Sequence, residues 1–181
     1  MRERYFSTFQ LILAALLAAL IVVAKIGLRT PIRMPGHTGI FWMAIMIVAA
    51  GIIPRRGAAS LVGVTSGIIA GFMGMGDYGS LNTFLSYAAV GLGTDLILLL
   101  LQDPKRVMAA VFAGIFGHLG KFLVKWLYGI ITGAPIGFVT LGLARALVSY
   151  IVFGALGGFL GWLTLRALER AGFFTYLEEK R

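Results

Sequence analysis

A chain of 181 residues in which 59% are hydrophobic and 13% charged cannot cover itself with a water-compatible surface, since an ordinary soluble domain carries about 25% charged residues. The formal net charge of +9 is distributed between apolar blocks, the pattern of membrane loops and not of a nucleic-acid-binding face. No cysteine is present, which excludes disulfides, iron–sulfur clusters and thiolate zinc sites, and two histidines make a poor metal site, so no cofactor or metal is expected.

Charge-free stretches bounded by Pro, Gly and basic residues divide the chain into six predicted transmembrane helices forming one all-α domain over residues 1–181, each with enough apolar residues to cross the bilayer. The first covers about residues 6–27. It follows the basic start MRER and resembles a signal peptide, but it lacks a small-residue cleavage site and reads as a retained helix. The loop RTPIRMPGHTG contains His37 and leads into the second helix, 40–53, which stops at Pro54, Arg55, Arg56 and Gly57. The third, 58–75, ends at the turn GDYGSLN; the fourth, 82–101, ends at QDPKR. The fifth spans 107–131, and the sixth 139–168, with an amphipathic or disordered tail expected after Gly172.

Basic residues are retained on the cytoplasmic side of short loops. Arg2, Arg4, Arg55, Arg56, Lys105, Arg106, Arg166, Arg170, Lys180 and Arg181 fall on the side of the N-terminus, against only Lys25, Arg29 and Arg33 on the other. Both termini are therefore expected in the cytoplasm. The other three of the sixteen basic residues, Lys121, Lys125 and Arg145, fall inside predicted helices.

Small residues at helical spacing mark close helix approach, because lipid supplies no hydrophobic drive between helices. Ala14 with Ala18, and Ala15 with Ala19, repeat on the first helix; Gly63, Gly67 and Gly71 on the third; Gly154, Gly158, Gly157 and Gly161 on the sixth. The glycine faces are expected to pack inside the chain.

Ionisable groups at membrane depth normally face a partner, water or ligand. Gly114, His118, Lys121, Lys125 and Tyr128 advance by four, three, four and three along the fifth helix and so share one face. Tyr87, Gly91 and Asp95 repeat the pattern on the fourth helix, whose start contributes Asn82; Arg145 and Ser149 repeat it on the sixth. Asp95 is expected either to bridge to Lys121 or to meet a ligand, and Lys125 either to reach the headgroups or to bind. Arg145 suits a buried bidentate contact to a carboxylate or phosphate. A loop histidine such as His37 is ordinarily solvated, and Phe41 and Trp42 suit either an interfacial belt or a ligand-stacking platform. HExxH, GxSxG, a Walker loop and paired helical aspartates are all missing from the sequence, so an enzyme is not expected.

Its size, six short helices, internal termini, long loop after the first helix, and the AxxxA spacing of Ala14 and Ala18 or Ala15 and Ala19 resemble the substrate-binding S components of energy-coupling factor transporters. These capture vitamins and related micronutrients at the cell membrane of bacteria and archaea. The resemblance implies that the alanine face docks on a transmembrane coupling subunit, which sits on two cytoplasmic ATPases. It also implies an outer substrate site capped by loops 1, 3 and 5 and lined by helices 4, 5 and 6, where Arg145, Lys125, Lys121, His118, Tyr87, Asn82, Asp95, His37 and Trp42 are the candidates. The basic excess at these positions favours an anionic or carboxylate-bearing molecule, and the aromatics admit a ring. A small oligomeric channel or scaffold, with glycine faces as subunit contacts and a basic pore, is the alternative; an intramembrane transferase or hydrolase is weaker.

Overall fold

The computed structural model describes residues 6–27, 35–76, 78–133 and 142–174. These form six helices: α1 (Thr8–Gly27), α2 (Gly39–Ile52), α3 (Ala58–Phe72), α4 (Gly79–Leu101), α5 (Val107–Ile131) and α6 (Leu143–Arg170). The expected bounds of α5 coincide with the observed ones, and α1 and α2 differ by two residues or fewer. Helix α3 stops three residues earlier than expected because Gly74, at φ 64°, closes it with paired bonds from Gly74 N–H to the Gly71 carbonyl (3.1 Å) and from Met75 N–H to the Ala70 carbonyl (3.0 Å). This is the Schellman arrangement, which favours glycine because the left-handed backbone penalises a Cβ. The part of the predicted sixth helix at 139–141 lies outside the described residues.

Helices α1, α4, α5 and α6 are long and apolar enough to cross a membrane, whereas α2 and α3 have 14 and 15 residues. At 1.5 Å per residue these two rise about 21 and about 22 Å, short of the roughly 30 Å hydrocarbon core. The expectation that every segment is long enough by itself is thus corrected for α2 and α3.

Burial runs opposite to that of a water-soluble protein. Phe72, Leu100, Ile131, Leu16 and Val23 are exposed, while Ser66, Asn82, Ser86, Thr94, His118, Lys121 and Ser149 are buried. Apolar exteriors with polar interiors are what a hydrocarbon solvent selects, and this chain is a membrane protein.

Around the assembly the neighbours run α1, α3, α4, α5, α6, α2 and back to α1. Lys25 Nζ at the end of α1 donates to the Met75 carbonyl beyond α3 (2.5 Å), and Ser149 Oγ in α6 to the Pro35 carbonyl ahead of α2 (2.5 Å). At the opposite end Trp162 Nε1 of α6 donates to the Lys105 carbonyl between α4 and α5 (2.9 Å). These ties place the ends of α1 and α3 and the starts of α2 and α6 at one end, with successive helices running in alternate directions.

Glycines set the two closest seams. A Cβ at Gly63 would stand 2.7 Å from the Tyr87 carbonyl oxygen, and one at Gly154 2.7 Å from that of Gly114. Gly157 and Gly161 meet α2 in the same way, each 2.9 Å from a backbone oxygen, of Ile40 and Ala44 respectively. The glycine faces therefore pack inside the chain, as expected. The alanine pairs divide. Ala14 and Ala18 are buried, with Ser66 Oγ of α3 3.5 Å from the Ala18 carbonyl, whereas Ala15 and Ala19 are exposed. A docking face through Ala14 and Ala18 is corrected on this ground: their Cβ atoms point inward, and only Ala15 and Ala19 are available to a partner.

Candidate functional site

The end of the assembly where α2 and α6 start also holds a cluster of buried aromatic and polar side chains. Trp42 enters from the first turn of α2, Tyr87 from α4, His118 and Lys121 from α5, and Tyr150 from α6. Ring centroids separate Trp42 from Tyr87 by 5.8 Å, Trp42 from His118 by 5.1 Å in an edge-on contact, and His118 from Tyr150 by 4.5 Å. Four helices thus contribute to one continuous aromatic wall, with distances in the range where ring quadrupoles attract. The Trp42 ring is buried, which corrects its placement in an interfacial belt.

Lys121 is 8% exposed. Its Nζ stands 4.3 Å from the Trp42 centroid and 5.1 Å from that of Tyr87. Aromatic faces carry partial negative charge, so the two rings hold the ammonium inside the protein by cation–π attraction. Lys25 approaches the Tyr87 ring at 5.4 Å. The face expected on the fifth helix is present: Gly114, His118 and Lys121 are buried, and Lys125 and Tyr128 are half-buried toward the helix end.

His118 is fixed from two sides. Its Nδ1 lies 3.0 Å from the Tyr150 carbonyl oxygen, which can only accept, so Nδ1 is the donor and in the neutral ring Nε2 is the acceptor. Cε1 of the ring lies nearest the turn before α2: a Cβ at Gly36 would come within 3.0 Å of it, and one at Gly39 would overlap it. The glycines of the PGHTG segment let the backbone lie against the imidazole. His37, between them, is half-buried and shares the turn, in place of the solvated position expected of it.

Trp42 Nε1, Asn82 Nδ2, Ser86 Oγ, Tyr87 O–H and His118 Nε2 are all buried without a hydrogen-bond partner among the described residues. Leaving such a group unpaired costs about 1–3 kcal/mol, and native interiors contain few of them. Several in contiguous residues mark a place where the protein is shaped around something other than itself. Asn82 and Ser86 lie one turn apart on the buried face of α4, beside Tyr87.

Five of the expected site residues, Trp42, Asn82, Tyr87, His118 and Lys121, are therefore found in this region. Asp95 and Arg145 are not. Asp95 accepts the backbone N–H groups of Ser60 (Oδ2, 2.6 Å) and Ala59 (Oδ1, 3.3 Å), capping the first turn of α3 from the neighbouring helix. The expected pair with Lys121 is corrected accordingly: the carboxylate compensates the unpaired donors and positive dipole end of α3. Arg145 is exposed on the first turn of α6, not buried as expected, because it precedes Ser149 by a full turn and sits where the helix emerges. Lys125 is half-buried. Ser86, Tyr150 and the Gly36–Gly39 seat were missed. Ser86 carries a readable signal, four residues after Asn82; Tyr150 acts through its carbonyl and ring, which no sequence pattern announces.

Among the described residues no group of three or more His, Asp and Glu side chains could hold a metal ion. No protein-family model, curated protein or solved structure matches this chain.

Proposed function

We propose that this chain is the membrane-embedded substrate-binding subunit of an importer of the energy-coupling factor type, capturing a small anionic or carboxylate-bearing, vitamin-like molecule from outside the cell. In this reading both termini are cytoplasmic, the end holding Trp42 and Lys121 faces outward, and a coupling subunit with two ATPases supplies the energy. The membrane is that of a bacterium or archaeon. The observation that carries the proposal is the buried set of unpaired polar atoms beside Trp42, Tyr87 and Lys121. Such a set is costly in an empty protein and is compensated when a ligand supplies the missing partners. The exposed Ala15 and Ala19 on α1 offer the small-residue surface on which another helix can pack.

The alternative of an oligomeric channel requires the glycine faces as subunit contacts, and Gly63, Gly154, Gly157 and Gly161 are already covered by neighbouring helices of the same chain. Native mass spectrometry of the purified protein is the test. A retained small molecule, at lower occupancy in Tyr87→Phe and Asn82→Ala, is the expected result. A ligand-free protein that assembles into rings and conducts ions would replace the proposal with the channel.

A further inference from the structure

The unpaired atoms also have a polarity, and it specifies the ligand more closely than its charge does. This step rests on the capture reading above. Trp42 Nε1 is a donor only, Asn82 Nδ2 is a donor, and the Ser86 and Tyr87 hydroxyls can donate. The ammonium of Lys121 lies on the Trp42 and Tyr87 rings in the same place. Among these atoms only His118 Nε2 is an acceptor that cannot donate, since Nδ1 is committed to the Tyr150 carbonyl.

A donor-rich side around an ammonium fits a carboxylate, which carries one charge and about four acceptor sites. It excludes an organic cation, because the aromatic faces that would hold one already hold Lys121. Phosphoryl groups are favoured by the planar fork of arginine or by helix N-termini; Arg145 is exposed, and among the described residues the cluster contains no guanidinium. The wall from Tyr87 through Trp42 and His118 to Tyr150 extends from the donors to the acceptor and suits a flat ring meeting other rings edge to face. We infer that the ligand is a flat aromatic or heteroaromatic monocarboxylate bearing a ring N–H or hydroxyl, its carboxylate toward Lys121, Trp42 and Asn82 and its own donor toward His118 Nε2.

Two small acids serve as probes, 4-hydroxybenzoate and indole-3-carboxylate. Each is compared with its carboxamide and with its O-methyl or N-methyl derivative, alongside phenyl phosphate, phenyltrimethylammonium and cyclohexanecarboxylate. Binding to the full-length protein in nanodiscs is followed by thermal unfolding and calorimetric titration. At least one parent acid is expected to bind about tenfold or more tightly than its carboxamide, a difference equivalent to about 1.4 kcal/mol, and than the phosphate, the cation or the saturated acid. Methylating the donor should weaken binding several-fold in the wild type and make no difference in His118→Phe. Lys121→Met should abolish the preference for acid over amide; the wild-type acid and amide comparison decides the point even if that variant does not fold. Equal binding of acid and amide, or tighter binding of the phosphate or the cation, overturns the inference. Recovery by native mass spectrometry of a retained molecule lacking a ring or a carboxylate overturns the ligand class and leaves the capture reading intact. No retained molecule together with no response to any probe overturns both.

Discussion

Asp95 and His118 are polar residues on adjacent helices of this assembly, and the protein treats them in opposite ways. At Asp95 each carboxylate oxygen accepts a backbone N–H of α3, and the helix end it caps would otherwise leave its first donors unpaired. At His118 one nitrogen is bonded to a backbone carbonyl while the other, with its neighbours Tyr87, Trp42 and Asn82, has no partner among the described residues. A half-buried charge that is fully used belongs to the fold. A buried set of polar atoms rich in donors, left unused beside an ammonium, belongs to a ligand. The accounting of hydrogen bonds separates the two places.

That contrast yields substitutions of graded effect. The α5–α6 seam brings His118 to Tyr150, and Gly158→Leu should have the most severe effect of all, since even a Cβ there would overlap the Ala110 carbonyl. Overpacking of this kind costs about 1–3 kcal/mol and occasionally more. Loss of monodisperse protein on size-exclusion chromatography is the expected outcome, and a normal elution profile would show that the seam can open.

Asp95→Ala should come next, lowering stability by about 1–2 kcal/mol through the uncapped α3 terminus. Ligand affinity per folded molecule should stay unchanged. Thermal unfolding with and without ligand reads both quantities, and a fall in affinity without a fall in stability would move Asp95 from the fold to the site. Tyr87→Phe should behave in the reverse sense. It removes a hydroxyl that has no partner among the described residues, so the empty protein should be as stable as the wild type or slightly more so, while affinity drops about three- to tenfold, the loss of one ordinary hydrogen bond.

The smallest effect on the fold is expected on α1, where the two alanine pairs reproduce the same contrast between used and unused surface. Ala15→Leu and Ala19→Leu, on the exposed side, should leave thermal stability within about 0.5 kcal/mol and ligand binding intact, and should reduce uptake in cells if that face receives the coupling subunit. Ala18→Leu, whose Cβ faces the interior, should destabilise the protein itself. Full uptake by both surface variants would place the partner contact elsewhere.

Periodicity and composition alone determined the membrane character, the number of helices among the described residues and most of their limits, because apolar runs of this length and breakers such as Pro54 act through local chain geometry and the cost of an unpaired backbone in hydrocarbon. The polar face of α5 was legible for the same reason, since positions 114, 118 and 121 share a side of any helix. What no pattern along the chain contains is the distance between helices. That Trp42 from α2 meets Tyr87 and His118, that Asp95 reaches α3 and not Lys121, and that Ala14 and Ala18 turn inward while Ala15 and Ala19 turn out are decided by which helix lies beside which. That arrangement follows from how closely glycine lets α3 approach α4 and α5 approach α6. Arg145 shows the limit most plainly: its charge and spacing from Ser149 are local facts, but its exposure depends on where α6 leaves the packed assembly.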